Sequence, residues 1–389
     1  MKTMKRIMTM TTMKHFNLYT DCINFPLDRP CREQKNNNIK CPTCKKYIKI
    51  SSKNNKNPKI LIIKLGAMGD VLRTTFLLKG LKEKYRKSKI SWIVSAKNAA
   101  VLENNPYIDE IILNDGKTSA FLLGSFFDIT INLDLAPESL ALAKLANTAK
   151  TLGFSLDNNR KITTSNNYAM LWLKMSAYDE LKKDNLDTYQ YWMSKIVELP
   201  KDDYEIIVPI QPALQKKADK FLKKLKIKNA QKIIGINPGA GARWRLKKWA
   251  VAGFIKVAKH FSDKGYAVLL LGGKDDEKEI SAILNKKFKN VFFTGTDNTI
   301  PYFFALVNVC DIILCGDTMV MHAAAGLKKS VIALFGPTSH NEIELYGRGA
   351  KIYGDLDCLV CYKQECLKKP NCMDKIDAQT VIKTMAEAI

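Results

Sequence analysis

The chain has 389 residues, 46% of them hydrophobic and 26% charged; this is a globular rather than a disordered balance, at a length that suits two domains better than one core. The longest apolar stretches, at 60–63, 267–273 and 331–336, are strand-sized and far short of the ~18–20 residues that cross a bilayer, while the basic start MKTMKRIMTMTTMKHF has no continuous apolar run of the kind a secretory signal needs. The formal net charge of +24 points either to a polyanionic partner (nucleic acid, anionic lipid or a phosphorylated glycan) or to a Lys- and Asn-rich bias that merely solvates the surface.

In chain order, residues 1–58 are rich in cysteine, lysine and asparagine, and residues 1–59 hold 14 Lys/Arg against 3 Asp/Glu. This stretch closes on the linker-like run SSKNNKNP. Residues 59–205 alternate between strands and helices: KILIIKL, ISWIVS, IDEIIL and FDITINL read as strands, and VLRTTFLLKGLKEKYR has helical apolar spacing. From 206 to 375 the pattern restarts. KIIGINP, YAVLLLGG, NVFFTG, DIILCGD and SVIALFGPTS are strands, and WAVAGFIKVAKHFSDKG is a helix with Gly265 as its stop. A last helix follows over 376–389. Two consecutive parallel units predict two doubly wound Rossmann-like domains of α/β class facing across a cleft, with ligands beyond the carboxyl ends of the strands.

Four strand-end loops carry the candidate chemistry. In Lys64-Leu65-Gly66-Ala67-Met68-Gly69-Asp70, Gly66 and Gly69 let backbone approach a ligand, and Asp70 stands at a helix start, either as a cap or as a reacting carboxylate. Asn237-Pro238-Gly239-Ala240-Gly241-Ala242 precedes a basic run containing Lys247 and Lys248, a composition suited to a diphosphate. Glu277 follows Gly272-Gly273-Lys274, and is placed to hold a ribose hydroxyl or cap a helix. Gly316-Asp317-Thr318 opens the helix that carries His322; Asp317 and Thr318 are suited to cap it.

Taken in order, K-I-L-I-I-K-L-G-A-M-G-D-V-L-R-T-T, N-P-G-A, L-L-L-G-G-K-D-D-E, G-D-T-M-V-M-H-A-A-A-G and L-F-G-P-T resemble glycosyltransferase family 9, the ADP-heptose:lipopolysaccharide heptosyltransferases, over roughly residues 59–388. The resemblance implies a GT-B fold whose last helix crosses back to the first domain, and an inverting transfer of heptose from ADP-heptose that needs no cofactor for its chemistry. It implies Asp70 as general base, Lys247 at the donor phosphates, Glu277 near the nucleoside, and Asp317, Thr318 and His322 around the diphosphate and sugar, with Asn237, Gly239 and Gly316 in the donor loops. It further implies a cytoplasmic enzyme, peripheral at the inner membrane, with a lipid-linked glycan acceptor, an anionic membrane surface and no nucleic acid as partner. Other nucleotide-sugar donors remain open, as does a zinc-containing nucleic-acid-binding protein. At Met319 the family usually has a small residue.

Eight of the ten cysteines fall into two sets, Cys22, Cys31, Cys41, Cys44 and Cys358, Cys361, Cys366, Cys372. In a cytoplasmic protein such clustering favours metal, with structural zinc as the expected ion. Two separate sites, one mixed site and reduced thiols are all compatible with the spacing. The aromatic run from Tyr168 to Trp192 suits either core packing or a grip on a lipid-linked acceptor.

Overall fold

A computed structural model of the chain describes residues 19, 22, 24–26, 29–48, 57–227, 232–241 and 245–389. It divides into two units, Met1–Asn55 and Lys56–Ile389. The first unit contains helix α1 (Arg32–Asn37) and a 3-10 turn at Cys41–Thr43. None of its described residues is buried.

The second unit opens with β1 (Lys59–Ile63), α2 (Met68–Thr74), α3 (Leu77–Lys84), β2 (Lys89–Val94), β3 (Glu110–Leu113), α4 (Thr118–Gly124), β4 (Phe126–Asn132), α5 (Pro137–Leu145), β5 (Asn147–Leu156) and β6 (Ile162–Thr164). The sheet order is β3-β2-β1-β4-β5-β6, parallel except for β6. Ile60 to Ile63 of β1 are fully buried because helices cover both faces, which is why KILII reads as a continuous apolar run. Helices α6 (Asn167–Ala177), α7 (Asp179–Asp184) and α8 (Tyr189–Ile196) follow.

After α9 (Pro212–Lys224) the second half runs β7 (Ile233–Asn237), α10 (Val251–Asp263), β8 (Ala267–Leu270), α11 (Glu277–Leu284), β9 (Val291–Phe293), α12 (Ile300–Asn308), β10 (Ile312–Gly316), α13 (Met319–Gly326), β11 (Ser330–Phe335), β12 (Gly349–Tyr353) and α14 (Ala378–Ala388). Its sheet is β12-β11-β10-β7-β8-β9. The order reverses between β1 and β4 in one sheet and between β7 and β10 in the other, and such reversals leave ligand crevices at the carboxyl ends. Gly265, with φ +85°, ends α10 as the sequence predicts.

The last helix departs from expectation. Val381, Ile382 and Met385 of α14 enter the core of the second half with Ile234, Trp249 and Phe254. Their helical spacing completes the face under β11 and β12, so the helix stays with the second sheet and does not cross back.

The halves are tightly joined. Thr75 Oγ1 and the Ile207 backbone exchange two hydrogen bonds, at 3.2 and 3.0 Å. Arg348 pairs bidentately with Glu205 at 2.9 and 3.1 Å. One hydrophobic cluster runs from Ile60 and Trp92 through Tyr189 and Ile206 to Val320 and Val331.

Candidate functional site

The loop after β1 is braced from beneath. Asp134, just past β4, accepts hydrogen bonds from the backbone of Leu65 (2.8 Å) and Gly66 (3.0 Å) and pairs with Lys64 at 2.6 Å. A Cβ on Gly66 would lie 3.3 Å from that carboxylate, so Gly66 makes room for Asp134. Sequence reasoning missed Asp134; its position at the end of a buried strand was the available signal.

Asp70 is not a cap. The N-cap of α2 is Ala67, with no side-chain capping bond, and Asp70 sits in the first turn. Its carboxylate pairs with Arg73 at 2.9 Å and keeps 38% of its side-chain surface accessible. The Arg73 guanidinium lies 3.9 Å over the Tyr189 ring. Burial works to raise the Asp70 pKa, but Arg73, Lys64, His322 and Lys247 outweigh it and hold the group below the usual carboxylate range. Asp70 is therefore ionised at neutral pH.

In the second half, Asn237 at the end of β7 donates to Leu271 O at 2.9 Å and accepts from Thr318 Oγ1 at 3.3 Å. Asn237 thus ties strand ends together. Lys247 and Asp317 form an ion pair at 2.6 Å, and Thr338 donates to the same Asp317 oxygen at 2.8 Å. The N-cap of α13 is Thr318, without a side-chain capping bond. Both residues expected to cap α13 are thus engaged elsewhere, and its first N–H groups receive no cap from them. A Cβ on Gly239 would sit 1.8 Å from Asp276 Oδ1; glycine there accommodates a neighbouring carboxylate. Gly316 meets only ordinary contacts. Glu277 is exposed at the start of α11 and accepts from Thr296 at 3.0 Å.

The two sides meet at Gly69. A Cβ there would stand 3.2 Å from His322 Cδ2 and 3.4 Å from Met319 Cα. The Met319 side chain packs against the core, so its backbone is what faces Gly69. Asp70, Arg73, Lys247, Asp317 and His322 share one electrostatic neighbourhood. Glu342 joins it, unread in the sequence: burial pushes its pKa up against the pull of Arg73, and Tyr362 donates to it at 3.2 Å. Among the described residues, no three Cys, His, Asp or Glu side chains are gathered closely enough to hold one ion.

Burial first, then Arg73, drives the His322 pKa down to about 4, so the imidazole is neutral at pH 7. In the unfolded chain it takes a proton near 6.5. Folding stability is therefore whole above about 6.5 and is lost as pH falls toward 4, by on the order of 3 kcal/mol. The melting temperature should fall over this window, and His322→Gln should remove much of the fall. An unchanged acid slope in that variant would assign the loss to other groups.

Two doubly wound sheets with the Asp70 carboxylate on one side and the Lys247–Asp317 pair beside a helix start on the other define a GT-B-like protein. The fold overlays a glycosyltransferase family 9 protein of Veillonella parvula with TM-score 0.70 and 19% identity, over 87% of this chain and 99% of that one. It also overlays an E. coli heptosyltransferase solved with ADP-2-deoxy-2-fluoro heptose, with TM-score 0.58 and 17% identity, over 85% of this chain and all of that one. Residues 120–372 match the model of glycosyltransferase family 9 (heptosyltransferase), and the chain belongs to that family. Lipooligosaccharide heptosyltransferase 2 of Campylobacter jejuni is 33% identical over 172 residues, which span 42% of this chain and 53% of that one, about half its length.

Proposed function

We propose that the chain transfers a heptose from ADP-heptose to a glycan acceptor of the lipopolysaccharide type, in one displacement that inverts the anomeric carbon. The observation that carries this reading is the meeting of the Asp70 loop with the Lys247–Asp317–His322 cluster, within a chain of this family. Asp70, ionised and accessible, accepts the proton of the acceptor hydroxyl as its oxygen attacks the anomeric carbon. Charge then grows on the departing diphosphate. Lys247 and the uncapped N–H groups of α13 are placed to receive it. No cofactor takes part in these steps. Glu277, on the rim beside β9, is assigned to the nucleoside. Incubation with ADP-, UDP- and GDP-sugars, read by mass spectrometry of released nucleotide, tests the donor; release from ADP-heptose is expected, and release only from another sugar nucleotide would replace this assignment.

A lipid-linked acceptor fits the outer face of α6 and α7. Trp172, Tyr189 and Trp192 pack on one another inside, but Leu171 is 45% exposed, Tyr178 60% and Leu186 79%. Among the described residues no helix is long and apolar enough to cross a membrane. The proposal is peripheral attachment at the cytoplasmic leaflet of the inner membrane, apolar contacts there being joined by the chain's excess of lysine. Flotation with anionic liposomes should show binding at low salt that weakens at high salt; absence of binding at low salt would remove the idea.

A further inference from the structure

The first unit poses a physical problem. Every described residue in it is half-buried or exposed, and among those residues the regular structure is one six-residue helix and one 3-10 turn. Units of this size commonly rely on a metal or disulfides as a staple. Four side chains are placed to supply one. Cys22, Cys31, Cys41 and Cys44 are all free, all half-buried, and all line one cavity of about 620 Å³.

The local backbone presents each thiol on a turn. Phe25 N donates to Cys22 O (3.0 Å), Lys35 N to Cys31 O (2.8 Å), Cys44 N to Cys41 O (3.1 Å) and Tyr47 N to Cys44 O (3.1 Å). The Cys41–Cys44 pair has the two-residue spacing that lets one turn give two ligands to a tetrahedral ion. Among the described residues of its wall Glu33 is the only acidic one, and it is engaged by Lys46 at 2.7 Å.

We propose that these four cysteines form a structural site for a single thiophilic divalent ion of the zinc class. The thiols ring the cavity rather than meet at a point, so binding draws the ring closed and adds its free energy to the folding of this unit. Four thiolates complete the coordination and leave no position for substrate. The site is independent of the transfer reaction.

The test uses the full chain, grown with zinc and iron and purified under reducing conditions without chelator. Elemental analysis is expected to give at least about one zinc per chain, and the Cys41→Ser/Cys44→Ser variant about one fewer. Chelator should speed proteolytic cleavage within residues 1–55 of the unmodified chain. Nucleotide release by the variant should stay unchanged, which separates this result from any failure of the proposed activity. Zinc content well below one with all four thiols freely alkylated overturns the proposal. So do disulfides among the four, iron with acid-labile sulfide, or metal retained in full by the double variant.

Discussion

Asp70→Asn is expected to lower turnover by a factor on the order of 10²–10⁴, the usual cost of a lost general base, while leaving the fold and donor affinity nearly intact. Asparagine keeps an oxygen that can accept from Arg73, which holds Asp70 at 2.9 Å. It caps nothing, since Ala67 is the N-cap and makes no side-chain bond. What is lost is the capacity to take a proton. Single-turnover kinetics with saturating donor, beside the melting temperature and donor titration, separate these effects. Turnover close to that of the unmodified protein would reduce Asp70 to a partner of Arg73 and place the base elsewhere, with Glu342 the next carboxylate in the cluster.

Lys247→Ala and Lys248→Ala should differ in kind. Lys247 lies against Asp317 just before α13, where the proposed mechanism puts the leaving-group charge. A charge-assisted hydrogen bond is worth about 1.5–3 kcal/mol, so its loss should cut kcat/KM roughly ten- to hundredfold. Lys248 pairs with Glu279 at 2.8 Å, and the second oxygen of Glu279 is buried without a partner. Lys248→Ala strands that carboxylate, so it should lower the melting temperature and leave kcat/KM nearly unchanged. Equal kinetic losses in the two variants would mean that only the local positive charge matters.

The elements legible in the sequence were those buried on both faces. KILII, KIIGIN, IILCG and SVIALF stand out as continuous apolar runs; Asn237 ends the second, and Asp70 and Asp317 lie just beyond the first and third. β5 was missed because its first half, from Asn147 to Thr151, is half-buried or exposed and polar; its place beside β4 is set by pairing, which no local pattern announces. β12 went unread for a similar reason, being an edge strand with no buried residue. The partners of the site were hidden by distance along the chain. Lys64 and Asp134 are 70 residues apart, and Tyr362 reaches Glu342 from 20 residues away. The expected caps at Asp317 and Thr318 failed because both side chains have partners from other strand ends, which outcompete local backbone groups. Glycine was expected to let the backbone approach a ligand; at Gly66 and Gly239 the nearest neighbour is a protein carboxylate.

The hydrophobic cluster that passes from Trp92 through Tyr189 and Ile206 to Val331 has a consequence for anyone who treats the two halves as interchangeable parts. Gly326 sits so close to the connecting segment that a Cβ would fall 2.9 Å from Ile206 O, and the same segment is pinned by Thr75 and Arg348. The halves should therefore melt as one cooperative system, with one calorimetric transition as the expected result. A hybrid that joins the first half of this chain to the second half of a relative must carry the facing residues of that seam with it. Otherwise an altered substrate preference in the hybrid reports a mispacked boundary instead of a transplanted pocket.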